Sequence, residues 1–194
     1  MHAYAAESRV PVLGVLASIA VVIAIVTNRV LEECQFEYGW LVSAPTVGGA
    51  FAILLAVFDK WVWRWRWLHA IKAISTPVIE GKYEGTLRST WDGAPEAKVR
   101  VLVEQRWLRI LVRFEVLESE TSKSKSVTAA VYGLGHQDAS LTYTYSNRIR
   151  PGFADDDMSD HDGMADVTID QLGRLEGRYF NARGRQGTLA LQRR

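Results

Sequence analysis

Lys98 to Val116 reads KVRVLVEQRWLRILVRFEV, and its period decides the fold. Val99, Val101 and Val103 alternate with charged or larger neighbours. After the Arg106 region, Leu108, Ile110, Val112, Phe114 and Val116 are apolar while Arg109, Arg113 and Glu115 take the other parity. A helix would repeat apolar residues every three or four positions; a period of two puts one face in a core and the other in water. Lys98–Gln105 and Leu108–Val116 therefore read as two half-buried strands. The join around Arg106 carries no turn residue and reads as a bulge or a tight bend.

The same period extends outward on both sides, in Tyr83–Trp91, Ser122–Leu134, Ser140–Asn147, Gly163–Asp170, Leu175–Arg183 and Gly187–Gln192, for eight strands in all. Turn chemistry separates most of them: Asp92-Gly93-Ala94-Pro95, Gly133-Leu134-Gly135, Arg150-Pro151-Gly152, Leu172-Gly173 and Arg183-Gly184-Arg185. Eight short antiparallel strands form a small closed barrel more readily than a sandwich, because closure removes exposed edges and leaves room inside for one small ligand. The expected fold is a small eight-stranded antiparallel β-barrel over residues 77–194.

In an up-and-down meander, alternate connections share a rim. The mouth away from the start of the first strand gathers Trp91, Ser122, Ser124, Tyr143, Tyr145, Asn147, His161, Tyr179, Asn181 and Arg183. Propagating inward parity from Leu141, Ala165, Val167 and Leu175 points these polar and aromatic residues into the barrel. Aromatic faces stack bases, hydroxyls and amides bind base edges, and Arg183 with Arg148, Arg150 or Arg185 meets phosphates. The plain alternative is that tyrosines near strand ends are ordinary β-formers and loop arginines are solvated.

The first part of the chain is a different material. Of the 45 charged side chains, residues 1–77 hold 11 and the rest of the chain holds 34. Val10–Thr27 and Gly39–Phe58 carry none. Each approaches the ~20 apolar residues that cross a bilayer, giving two transmembrane helices at about 10–28 and 39–60 within a hairpin over residues 1–76. A cleaved signal peptide is disfavoured by the missing basic n-region and A-x-A-like site. Glu32, Glu33 and Glu37 outnumber Arg29 in the loop, whereas Lys60, Arg64, Arg66 and Lys72 follow the second helix. The positive-inside rule then places both termini and the barrel in the cytoplasm of a multi-pass membrane protein, with Cys34 on the outer side.

Trp61, Trp63, Trp65 and Trp67 lie in the segment 61–72 and read as an interfacial belt, with Trp61 and Trp65 sharing one side of a continuing helix. Pro45, Gly48 and Gly49 in the second span permit close helix contact.

Composition excludes several classes. A net charge of +1 argues against a duplex-coating nucleic-acid binder, and a single cysteine rules out an intrachain disulfide framework and multi-cysteine metal sites. The run Asp155 to Asp162 departs from a calcium loop, since Asp160 stands where the glycine is required, and reads as a solvated charge run. The four histidines form no ligand-spaced pair and no hydrolase or phosphate-loop motif occurs, so neither enzyme, metal nor cofactor is expected.

Two apolar helices precede a strand-rich domain bearing Gly81-x-Tyr83-x-Gly85, Gln105-x-Trp107-x-x-Ile110-x-Val112, alternating Ser122, Ser124 and Ser126, Tyr143-x-Tyr145-x-Asn147, His161-x-Gly163 and Leu175-x-Gly177-x-Tyr179-Phe180-Asn181-x-Arg183. This order resembles the two-transmembrane, β-strand-rich effectors associated with bacterial CD-NTase (CBASS) anti-phage immunity. The resemblance implies that a synthase makes a cyclic dinucleotide on infection and that the barrel binds it. It also implies self-association into homo-oligomers, disruption of the inner membrane and abortive infection. The competing readings are a membrane-tethered, lipocalin-like barrel for a lipid or other apolar ligand, and a filled barrel with a purely structural role.

Overall fold

A computed structural model describes residues 9–33, 39–90, 96–117, 122–135, 138–149 and 160–194. The chain divides at Ile74–Ser75 into a helical unit and a strand unit.

The helical unit contains α1 (Val10–Glu33), α2 (Gly39–Lys60), a 3-10 turn (Val62–Arg64) and the short α3 (Arg66–Ala70). α1 runs beside α2 and buries Leu16, Ala20 and Ala24, a stripe of four-residue spacing. It continues past the expected end at residue 28 to Glu33, where Asn28 donates to Glu32 one turn on at 2.8 Å. Among the described residues α1 is the helix long and apolar enough to cross a membrane. Gly48 and Gly49 do not provide a close contact with α1, since a Cβ on either would meet no heavy atom within 4 Å.

The tryptophan run does not continue α2 as a helix. The chain leaves α2 through the 3-10 turn and Trp65 is extended, with φ −65° and ψ 127°. The expected pairing of Trp61 with Trp65 on one helical side is therefore replaced by a break. Trp63 is buried, and Trp61, Trp65 and Trp67 are each about half exposed. Lys60 Nζ lies 4.3 Å from the Trp61 ring centroid, a cation-π contact at the end of α2.

The strand unit is a closed barrel in which each strand pairs with its neighbours in sequence and β8 returns to β1. Its strands are β1 (Gly81–Ser89), β2 (Ala97–Gln105), β3 (Ile110–Val116), β4 (Ser122–Gly135), β5 (Asp138–Ile149), β6 (His161–Ile169), β7 (Arg174–Asn181) and β8 (Gln186–Arg193). All eight neighbouring pairs are antiparallel. The expected strands are present with ends that agree or are shifted by at most two residues, as hydrophobic alternation fixes phase better than length. The Arg106 join is a tight hairpin turn, with Arg106 N donating to Arg109 O at 2.8 Å and Arg109 N to Arg106 O at 3.4 Å.

The period of two becomes a filled interior. Val99, Val101 and Val103 of β2, Ile110 and Val112 of β3, Leu141 of β5, Val167 of β6, Leu175 of β7 and Leu191 of β8 are all buried. The outer face carries cross-strand ion pairs instead, among them Glu84 with Arg100 at 2.9 Å and Glu104 with Arg113 at 3.0 Å.

One end of the barrel has a floor. The segment before β1 crosses it, with Ile79 N donating to Gln105 Oε1 at 2.8 Å and Gln105 Nε2 donating to Pro77 O at 2.9 Å. Tyr83 adds its hydroxyl, donating to Ile79 O at 2.8 Å. Gln105→Leu keeps the volume but strands a buried N–H, so a loss of about 2 kcal/mol is expected in denaturant unfolding. A variant as stable as the parent would show that the floor does not depend on this amide.

Candidate functional site

At the end opposite the floor the interior opens into a cavity of about 270 Å³. Register explains its content. Tyr143, Ala165 and Tyr179 form one row across β5, β6 and β7; Ser126, Tyr145, Gly163 and Asn181 form the next; Phe114, Ser124, Asn147 and His161 form the row above. All have inward parity, so three rows of side chains surround one space.

The cavity has two kinds of wall. β4 to β7 supply Ser124, Tyr143, Tyr145, Asn147, His161, Tyr179 and Asn181, while β1, β2, β3 and β8 supply Leu87, Ala97, Phe114, Val116 and Leu189. Arg183 and Arg185 stand in the β7–β8 turn at the mouth, and among the described residues no carboxylate lines the cavity.

Glycine makes room for the aromatic wall. A Cβ on Gly163 would lie 2.4 Å from both Cζ and Oη of Tyr145, so the phenol crosses the barrel over the bare backbone of β6. The rings of Tyr143 and Tyr145 are 6.3 Å apart between centroids and tilted by 52°, within the range of favourable aromatic pairs. Burial raises the Tyr143 hydroxyl far above its ordinary pKa, with the neighbouring Tyr145 adding to the effect. Tyr145 is pushed up to about 12 by burial and then by Tyr179. Both phenols therefore remain neutral hydrogen-bond donors at physiological pH.

A stability consequence follows from the sign. Raised phenol pKa values leave their contribution intact below the unfolded value of about 10 and remove it as pH rises through the folded values. The barrel is thus expected to lose stability between about pH 10 and 12, with the tyrosinate absorbance of Tyr143 and Tyr145 appearing together with unfolding. Their ionisation near pH 10 in an intact fold would contradict this.

Polar side chains in the cavity are held in place. Ser124 Oγ donates to Asn147 Oδ1 at 2.8 Å, and both residues are buried. That bond commits the amide oxygen and leaves the amide N–H groups as donors. Asn181 Oδ1 accepts the N–H groups of Arg183 and Arg185, each at 3.1 Å, and Gly184 adopts φ +71°. The turn is built to fix where the two arginines emerge.

Of the twelve residues expected at the mouth, Ser124, Tyr143, Tyr145, Asn147, His161, Tyr179, Asn181 and Arg183 line the cavity. Arg148 does not. Its neighbour Asn147 points inward, so Arg148 points out, where Nη1 donates to Asp160 Oδ2 at 2.7 Å. That contact, with the Ile149 N–H, holds the Asp160 carboxyl below its usual range. Trp91 and Arg150 lie outside the described residues, as does the side chain of Ser122. Asp155 to Ser159 of the acidic run and Cys34 are outside them too.

Arg185, named with Arg183 as a phosphate contact, lines the space too, and so do the apolar wall, Ser89, Ile149 and Ala165, which the sequence reading does not place there. The signal was available for several: Phe114 is the direct partner of Ser124, and Ala97 and Val116 stand at the same rim by the meander rule. Among the described residues no cluster of His, Cys, Asp and Glu is arranged to hold a metal ion.

Chemically, the site suits an anion carrying a flat heteroaromatic group. One wall offers neutral donors to a base edge, the other an apolar surface, and the rim two guanidiniums. A search of curated proteins found no match. The family model described as Cap15, cyclic dinucleotide receptor domain, matches residues 74–193, which takes in the whole barrel and its floor. The chain therefore belongs to the Cap15 cyclic dinucleotide receptor family.

Proposed function

We propose that the cavity between β4–β7 and the apolar wall is where this chain takes its cyclic dinucleotide, and that the chain is a membrane-bound effector of CBASS anti-phage signalling. The observation that carries the reading is the sequence of surfaces from depth to rim: the tyrosine wall, the neutral Ser124–Asn147 pair in the row above it, then Arg183 and Arg185 with no carboxylate among the described lining residues. A nucleobase enters with its polar edge toward Asn147, and the phosphates remain at the mouth. Affinity comes from stacking and charge-assisted hydrogen bonds, not from the field of a chain whose net charge is +1.

α1 and α2 form the membrane hairpin in this reading, both termini face the cytoplasm, and the half-exposed Trp61, Trp65 and Trp67 sit at headgroup depth beside Lys60, Arg64 and Arg66. A ligand drives assembly only if the assembled state binds it better. Ligand-bound barrels then associate, gather their hairpins and breach the inner membrane, and the death of the infected cell limits the phage. No step is catalytic.

The test uses the full chain in detergent and in liposomes. Cyclic di-adenylate, cyclic di-guanylate and cyclic di-uridylate are compared with a fatty acid by thermal shift and calorimetry, since a ligand of the folded state raises the melting temperature. At least one cyclic dinucleotide is expected to bind and to release a dye trapped in the liposomes, and removal of residues 1–58 to abolish release while binding survives. Stabilisation by the fatty acid alone would replace this reading with a lipid-carrier one.

A further inference from the structure

The β3–β4 seam is incomplete. Pairing with β3 covers only Lys123, Lys125 and Ser124 of β4. A register shift between Ser126 and Thr128 follows, and from Thr128 to Gly135 the ladder of β4 runs with β5. The departure is closed locally by a side chain, as Val112 N donates to Ser126 Oγ at 3.0 Å in place of a backbone carbonyl. β4 thus has a second edge without a strand partner among the described residues.

The edge segment itself carries none of the usual protective residues. Ser126 to Gly133 reads SVTAAVYG, with no charge and no proline. Unpaired edges of this composition are templates for another strand, and soluble proteins normally blunt them with lysine, proline or covering loops. Val127 and Tyr132 on this segment are 53% and 43% exposed. Charge appears only at its ends, Lys123 and Lys125 before it and Asp138 just beyond it on β5.

We propose that the β4 edge pairs with the β4 edge of a second copy of this chain, antiparallel and about a two-fold axis. The end charges select this occupant and direction. Antiparallel pairing centred within the neutral segment brings Lys123 and Lys125 of each copy toward Asp138 of the other, whereas parallel pairing sets like charges together. The interface is isologous, so one neutral strand supplies both halves. The proposal rests on the assembly reading above and names its surface.

The seam also borders the ligand site. Ser124, the middle residue of the short β3 ladder, donates to Asn147 in the cavity wall. A ligand engaging that wall acts on the strand whose outer edge carries the pairing, which gives assembly a short route to the ligand.

Sedimentation of the full chain in detergent, with and without the three cyclic dinucleotides, supplies the test, with binding measured separately by calorimetry. The parent is expected to form dimers or larger species. Ala130→Glu, which sets carboxylates of two copies against each other, should return it to monomer with ligand affinity changed less than threefold. Lys125→Glu should weaken assembly at least tenfold, and adding Asp138→Lys should restore it. The two positions lie at opposite ends of one hairpin, so restoration reports a contact between copies. Assembly that ignores both Ala130→Glu and the charge exchange overturns the edge while leaving the ligand reading intact, and a parent that stays monomeric overturns the edge as well. Absence of cyclic dinucleotide binding overturns the ligand reading, and the charge exchange still decides the edge.

Discussion

Replacing Arg183 and Arg185 together by alanine will weaken cyclic dinucleotide binding to the full chain by about 100-fold. A hydrogen bond to a charged group contributes roughly 1.5–3 kcal/mol, and the low end applies at a solvated rim; two such losses give about 3 kcal/mol, or two decades in affinity. The barrel should be unaffected, because Asn181 holds this turn through the backbone N–H groups of residues 183 and 185, which alanine retains. The two melting temperatures are therefore expected to agree. Lysine at both positions keeps the charge but loses the planar fork, and should fall between parent and alanine variant. Salt discriminates further: affinity of the parent falls with ionic strength, and that of the double variant falls much less. An unchanged calorimetric affinity would place the phosphates away from this rim.

The strand period carried most of the fold because a half-buried strand must alternate, and one slip in phase would turn every valine of β2 into water. The same logic located the polar half of the cavity. Parity from Leu141 and Ala165 reaches Tyr143, Tyr145, Asn147 and His161 without any tertiary information. It also assigns Arg148 to the outside, and its inclusion came from charge alone, against the alternation of its own strand. The apolar wall was harder to see, since Leu87, Phe114 and Leu189 look like any core residues until closure faces them across a gap from tyrosines. The break after α2 was not legible either. Tryptophans and arginines are compatible with a helix, and nothing in Trp61 to Arg66 signals a 3-10 turn in place of one. The short β3–β4 ladder is a property of two strands together, so no pattern within β4 alone announces it.

Gly177→Val is expected to cost at least ~3 kcal/mol and to lower the melting temperature on the order of 10 °C, enough to abolish binding in warm cells. Gly177 faces inward on β7 between Leu175 and Tyr179, opposite Val167 of β6. A Cβ there would stand 2.2 Å from the Asp166 carbonyl oxygen and 2.6 Å from the Val167 Cα. These are backbone atoms of a paired strand, so no side chain can swing away; β6 and β7 must separate, and the ladder that supports the tyrosine wall opens with them. Position within the barrel, not glycine as such, sets this cost. Gly133→Ala is the control: its nearest atom, Ser75 O, is 3.9 Å away, an ordinary contact, and a change within about 0.5 kcal/mol is expected. Thermal unfolding of both variants, with and without cyclic dinucleotide, separates the cases. A Gly177→Val barrel that melts with the parent would mean that β6 and β7 do not approach this closely in solution, and the packing that positions Tyr145 and Tyr179 would have to be redrawn.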